Sequence, residues 1–235
     1  IRSVFISNEN ERLASGPGLV TKAFNVDTSF NSIEVFKNND LSSLDKNLSK
    51  FLKQFDVPVL PIEEDYFWSL TRSVIYQQIS GKAAKKISDR YLKLFNKGSK
   101  MSPIDVIKID IEKIQNVGIS RQKSGYIKNI ANAFDEGLVD ETELHKQSDQ
   151  EIIDQLVKIK GVGRWTAEMF LIFTLRRPDV FPVTDLGVQK GFQIYYDLDE
   201  LPSIDMMNEK SENWKPYRTI MSLYLWFAVE GPFEW

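Results

Sequence analysis

The chain has 235 residues, 42% of them hydrophobic, so it can bury a core as one domain or two small lobes and does not read as a disordered tail. Its 30 basic and 33 acidic residues leave a formal net charge of -3, which argues against a histone-like or single-strand-coating role but leaves room for a local basic patch. It contains no cysteine, so disulfides, thiolate zinc and iron–sulfur clusters are excluded, and its apolar runs are too short to span a membrane.

Residues 1 to about 40 are rich in Asn, Ser and Gly and carry a Gly16-Pro17-Gly18 turn, which reads as a linker. Helical periodicity dominates from residue 41 onward. Leu44, Leu48, Phe51, Leu52 and Phe55 form one amphipathic stripe, and Phe67, Leu70, Val74 and Ile75 form the next. Ile87, Tyr91, Leu94 and Phe95 continue the pattern after Gly81. Ser102-Pro103 is a cap with proline at the first helical position and Asp105 as a capping-box partner, and Ser120 caps a helix that ends at Gly137. Ser148 and Glu151 form a second capping box, ahead of a stripe of Ile152, Ile153, Leu156, Val157 and Ile159 on a helix running to about Lys158. The last helix begins near Pro216, carries Ile220, Leu223, Tyr224 and Phe227, and ends at Gly231-Pro232. The expectation is an all-α chain of about nine or ten helices. Only Ile33 to Phe36 and Val57 to Leu60 read as short extended pieces.

Between the two helices around residue 160, Gly161 and Gly163 flank Val162. Such a turn can adopt backbone angles closed to other residues and expose N–H groups at the start of the next helix. A helix N-terminus carries roughly half a positive charge, so the hairpin can hold a phosphate without any basic side chain. Two glycines alone are also consistent with a plain turn. One helix further on, Asp185 stands at a predicted helix start, where an aspartate is a preferred cap.

The longer string Lys160-Gly161-Val162-Gly163-Arg164-Trp165-Thr166-Ala167-Glu168, with Leu156 before it and Asp185 after it, resembles the helix-hairpin-helix DNA glycosylase superfamily. The branch it looks most like is 3-methyladenine DNA glycosylase II, of alkylation repair. The segments Ser73–Ala84, Gly118–Lys123, Asp185–Gly191 and Trp214–Trp226 are similar to further signatures of that family, in the family's order. A dozen residues, Leu13 to Phe24, are also similar to a segment of the unrelated alkyladenine DNA glycosylase family, as the tail of a fusion would be. The chain opens on Ile1 instead of Met, as expected of a piece of something longer or of a chain that has lost its start.

The resemblance implies a two-lobed helical bundle with a cleft between the lobes. Residues 1–40 would form an N-terminal segment or linker and 41–235 the glycosylase domain. It implies a monomer acting on double-stranded DNA with damaged bases, without cofactor or metal, inside the cell: in the nucleus of a eukaryote, or the cytoplasm of a bacterium or archaeon. Asp185 takes the catalytic position, and Trp165, Met169 and Trp226 the base pocket, with Met169 where the family's bacterial member has a tyrosine. Lys160, Gly161, Val162, Gly163, Arg164, Thr166, Arg121 and Lys123 fall at DNA-binding positions, although solvated surface charge stays an alternative for each basic residue. Gln78, with Gln77 and Ile79 beside it, falls at the wedge that fills the gap left by a flipped base, against the alternative of helix-end polarity. Trp68 and Trp214 read as core, and the lone histidine, His145, as a solvated surface residue.

Chemistry supports the assignment of a single carboxylate. Cleaving an N-glycosidic bond builds positive charge on the deoxyribose, which a nearby carboxylate stabilises. Alkylation at N3 or N7 makes a purine cationic and a good leaving group, removing the need for a general acid. A cationic base is also drawn to a tryptophan face, by about 0.5 to 2 kcal/mol. Two other readings stand beside this one: a non-catalytic helix-hairpin-helix clamp for DNA structures, and a bifunctional enzyme with a lysine nucleophile, where this chain has Trp165.

Overall fold

A computed structural model of the chain describes residues 4–6, 12–14, 51, 65–95 and 101–230. The fold is all-α. Strand is confined, among the described residues, to a short antiparallel ladder of β1 (Val4–Ile6) and β2 (Arg12–Ala14), with Val4 opposite Ala14 and Ile6 opposite Arg12. Most of the Leu13 to Phe24 likeness, the extended pieces at Ile33–Phe36 and Val57–Leu60, most of the Leu44 to Phe55 stripe and the Gly231-Pro232 helix end lie outside the described residues. No helix among the described residues is long and apolar enough to cross a membrane. Contacts along the chain define two compact units, residues 1–62 with 175–233, and residues 63–174 with 234–235.

The unit of residues 63–174 contains α1 (Tyr66–Tyr76), α2 (Gly81–Leu92), α3 (Pro103–Lys108), α4 (Ile111–Asn116), α5 (Arg121–Asp135), a 3-10 turn (Leu144–Lys146), α6 (Asp149–Leu156) and α7 (Arg164–Phe173). Local chemistry starts these helices. Asp65 caps α1 by accepting from the Trp68 N–H at 2.9 Å, and Ser80 and Ser120 cap α2 and α5. Both predicted capping boxes form, Ser102 with Asp105 and Ser148 with Glu151. The α1 stripe is core: Phe67, Leu70, Val74 and Ile75 are at most 2% exposed, and α1 packs against α5 and α7.

Two predicted boundaries run too far. Helix α2 stops at Leu92, so Leu94 and Phe95 follow it in a turn. Helix α6 stops at Leu156, which leaves Val157 at 41% exposure while Ile159, in the turn beyond, is buried. A hydrophobic stripe cannot tell a last helical turn from a tight turn that buries the same residue.

The other unit contains α8 (Leu186–Tyr196), α9 (Ile204–Ser211), a 3-10 turn (Glu212–Trp214) and α10 (Arg218–Glu230), which starts two residues later than Pro216. Trp214 is fully buried, with Phe181, Phe192 and Tyr195 edge-on around it at 5.5 to 5.8 Å between ring centroids. Helices α8 and α10 pack closely because of glycine. A Cβ on Gly191 would lie 2.2 Å from the Leu225 carbonyl oxygen, and one on Gly187 would lie 2.7 Å from Cδ1 of Trp226. The two glycines are four residues apart and so line one face of α8.

These contacts predict opposite signs for the same substitution at two helical glycines. Gly191→Ala should destabilise the protein by about 1 to 3 kcal/mol, because the obstacle is backbone. Gly125→Ala, inside α5 with nothing within 4 Å of the added carbon, should stabilise it by roughly 0.5 to 1 kcal/mol. Urea midpoints measure both, and equal effects would contradict the packing described.

Candidate functional site

Asp185 is the N-cap of α8, as its residue type suggests: its Oδ1 accepts from the Val188 N–H at 2.8 Å. It also accepts from the Trp226 indole, Nε1 to Oδ1 at 2.7 Å. One oxygen thus takes donors from two helices, and the carboxylate cannot rotate without breaking both bonds. Trp226 is 4% exposed and meets Asp185 through its ring N–H, which places it as the partner of the carboxylate as well as a candidate pocket wall.

The loop that leads to Asp185 is held by the same helix. The Arg218 guanidinium makes a two-pronged ion pair with Asp179, Nε to Oδ1 at 2.7 Å and Nη2 to Oδ2 at 2.9 Å. The Thr219 hydroxyl donates to the Arg177 carbonyl at 2.6 Å and accepts from the Val180 N–H at 2.9 Å, and the Ser222 hydroxyl lies 3.3 Å from the Val180 carbonyl. Arg218, Ser222 and Trp226 recur every four residues, so one stripe of α10 bonds Asp179, Val180 and Asp185, and Thr219 beside it bonds Arg177 and Val180. Arg218, Thr219 and Ser222 lie within the Trp214–Trp226 segment that carries the resemblance, but their hold on this loop does not stand out in the sequence.

In the other unit, the hairpin between α6 and α7 turns through a 2.9 Å bond from the Val162 N–H to the Ile159 carbonyl. Only one of its glycines is conformationally required. Gly161 has φ of +106°, and a Cβ there would lie 2.0 Å from Cγ of Tyr126 on α5. Gly163 has φ of -94° and open space around it, so the expectation of special backbone angles is corrected at that position. Gly163 is instead the N-cap of α7, and having no side chain it leaves the first-turn amides without a cap acceptor.

The structure sorts the other expected DNA-binding residues. Arg121, Lys160 and Arg164 are exposed, with the Arg164 Nε donating to Oε1 of buried Glu168 at 2.9 Å. Val162 and Thr166 are buried, so their side chains serve the hairpin's own packing. Lys123 is turned inward: its Nζ donates to the carbonyls of Ile75 at 2.8 Å and Gln77 at 2.5 Å. Burial pushes its pKa below the ordinary lysine value. Lys123, expected at a DNA-binding position, thus caps the end of α1.

Gln77, expected at the wedge, is also engaged internally, its Nε2 donating to the Gly161 carbonyl at 3.1 Å and the Thr166 hydroxyl at 3.0 Å. Gln78 and Ile79 are exposed, and Gln78 has φ of +58°. Trp165 is partly exposed on α7, whereas Met169, one turn along, is 1% exposed and enclosed. Trp68 stacks on Tyr91, and His145 is exposed but hydrogen-bonded to the Tyr66 hydroxyl.

The two hairpin glycines should respond differently to a single methyl group. Gly161→Ala meets both a positive φ and the Tyr126 ring, and should cost about 2 kcal/mol or more. Gly163→Ala should cost about 1 kcal/mol or less, as for an exposed helix cap. Thermal unfolding of the two variants checks this, and comparable losses at both positions would count against the geometry.

Comparison with known proteins agrees with these elements. A family model described as HhH-GPD superfamily base excision DNA repair protein matches residues 71–216, more than half of the chain. DNA-3-methyladenine glycosylase 1 of Schizosaccharomyces pombe is 35% identical over 190 residues, which cover 79% of this chain and 83% of that protein. The DNA-3-methyladenine glycosylase of Saccharomyces cerevisiae is 31% identical over 82% of this chain and 73% of its own. A solved structure of the Schizosaccharomyces pombe 3-methyladenine DNA glycosylase in complex with abasic DNA superposes with a TM-score of 0.75 at 33% identity, covering 83% of this chain and 97% of that one. The family model, the hairpin and the ordered motifs agree, and the chain belongs to the HhH-GPD superfamily of base excision DNA repair proteins.

Proposed function

We propose that the chain is a monofunctional DNA glycosylase that flips alkylated purines of the 3-methyladenine and 7-methylguanine type out of duplex DNA and releases them by hydrolysis. The observation that carries this reading is the Asp185 carboxylate, held at the start of α8 by the Val188 N–H and the Trp226 indole. In the reaction the bond between C1′ and the purine nitrogen breaks, and its electron pair leaves with the base, neutralising its positive charge. Asp185 stabilises the cationic sugar. Water then adds at C1′ and loses a proton, giving an intact abasic site. A backbone clamp would need neither the indole on Asp185 nor the α10 network that holds its loop.

Trp165 is proposed as the ring that faces the cationic base, with Met169 behind it on the same side of α7. Arg121, Lys160, Arg164 and the uncapped first turn of α7 would hold the phosphates, and Gln78 and Ile79 form the tip of the wedge. Residues 41–235 are assigned to the glycosylase domain. The protein would act as a monomer inside the cell, in the nucleus or the cytoplasm according to where its genome is kept.

Asp185→Asn should lower single-turnover release of 3-methyladenine by at least about a thousandfold while duplex affinity changes little. Trp226→Phe should reduce the rate about ten- to a hundredfold, since a hydrogen bond to a charged group is worth about 1.5 to 3 kcal/mol. Near-normal release by a folded Asp185→Asn protein would sink the catalytic assignment.

Strand cleavage gives a separate check. A lyase needs a neutral amine beside the sugar, and α7 contains no lysine from Arg164 to Phe173. Borohydride should therefore trap no covalent adduct with lesion-containing DNA. An adduct in good yield, lost when one lysine is changed to Ala, would show the enzyme to be bifunctional.

A further inference from the structure

The segment between α1 and α2 combines an exposed tip with an unusually well-anchored base. Gln78 adopts a positive φ that is uncommon for a residue with a side chain, and Ile79 is 38% exposed. Beneath them the backbone is held from two directions. The Lys123 ammonium binds the carbonyls of Ile75 and Gln77, at the negative end of the α1 dipole, and the Gln77 amide reaches the Gly161 carbonyl and the Thr166 hydroxyl. Helix α5 also holds the hairpin, with Tyr126 against Gly161 and the Asn129 amide donating to the Lys160 carbonyl at 2.9 Å. Lys123, Tyr126 and Asn129 are spaced by three residues and share one face of α5. A single helix face therefore fastens the exposed tip to the turn assigned to phosphate binding.

We propose that Lys123 is a positioning residue for base extrusion: by tying the turn after α1 to α5, and so to the hairpin, it makes the Gln78–Ile79 tip a rigid probe set at a fixed offset from the bound phosphate. A base leaves the stack only at a cost in lost pairing and stacking, and a tip that could fold back would not fill the gap. An internal lysine bonded to two carbonyls holds the tip without touching DNA. This inference rests on the glycosylase reading.

The test uses the full chain and a duplex with one 7-methylguanine, either paired with cytosine or unpaired in a single-nucleotide bulge, and a 2-aminopurine beside the lesion to report unstacking. In Lys123→Met, which keeps the length of the side chain but donates no hydrogen bond, release from the paired site should fall about tenfold or more. Release from the bulge should stay within about threefold of wild type, since an unpaired base is cheaper to extrude. The 2-aminopurine signal should fall with the paired site, undamaged-duplex affinity should stay within about twofold, and Lys123→Arg should recover much of the loss. Gln77→Met, which removes the other anchor, should give the same split even if Lys123→Met does not fold. Equal loss on paired and bulged lesions, or none on the paired one, would overturn the proposal. If wild-type protein unstacks the reporter but releases no base, the glycosylase reading fails, while loss of unstacking in Lys123→Met would still support the positioning role.

Discussion

Gly191 brings α8 so close to α10 that a methyl group there would lie 2.2 Å from the Leu225 carbonyl oxygen, and this approach carries Trp226 to Asp185. Gly187, one turn earlier, gives the indole its space: a Cβ at that position would lie 3.0 Å from Nε1 of Trp226 and 3.1 Å from Oδ1 of Asp185. The bond between indole and carboxylate thus depends on two positions without side chains. Close-packed interiors transmit such constraints, because a helix displaced by one carbon atom takes its neighbours with it.

Helix α10 does more than supply Trp226. Through Arg218, Thr219 and Ser222 it binds the loop from Arg177 to Val180, whose backbone has no helix of its own to satisfy it. The Arg218 and Asp179 side chains are each about one-quarter exposed or less, at 21% and 26%, so their two-pronged pairing is better shielded than a surface ion pair. The role proposed for Asp185 draws on this arrangement, since donors set in advance need no rearrangement when charge develops nearby.

The unit of residues 63–174 uses a different device, lysines spent internally on helix ends. Lys123 caps α1, and Lys128, farther along α5, donates to the Ile107 and Ile109 carbonyls at the end of α3. Burial lowers the pKa of both below the ordinary lysine value, for Lys128 against the attraction of Asp110. In an acidic chain that acts on DNA, basic residues are therefore divided between structural anchoring and exposure, and their count alone does not measure the contact surface.

Local rules were enough to start several helices, though not to end them: Ser102, Ser120 and Ser148 cap partners three residues away, and the apolar stripes of α1 and α6 mark buried faces. The motif order was enough for the family, and the residue type at position 185 for the helix cap. Tertiary structure decided the rest. That Gly161 is required and Gly163 is not depends on Tyr126, more than thirty residues earlier. Lys123 and Gln77 donate to acceptors that lie 48, 46, 84 and 89 residues away. Trp226 gained its place on Asp185 from across 41 residues. A side chain's type limits which bonds it can make, but which partner comes within 3 Å is set by how helices pack, and no local pattern records that distance.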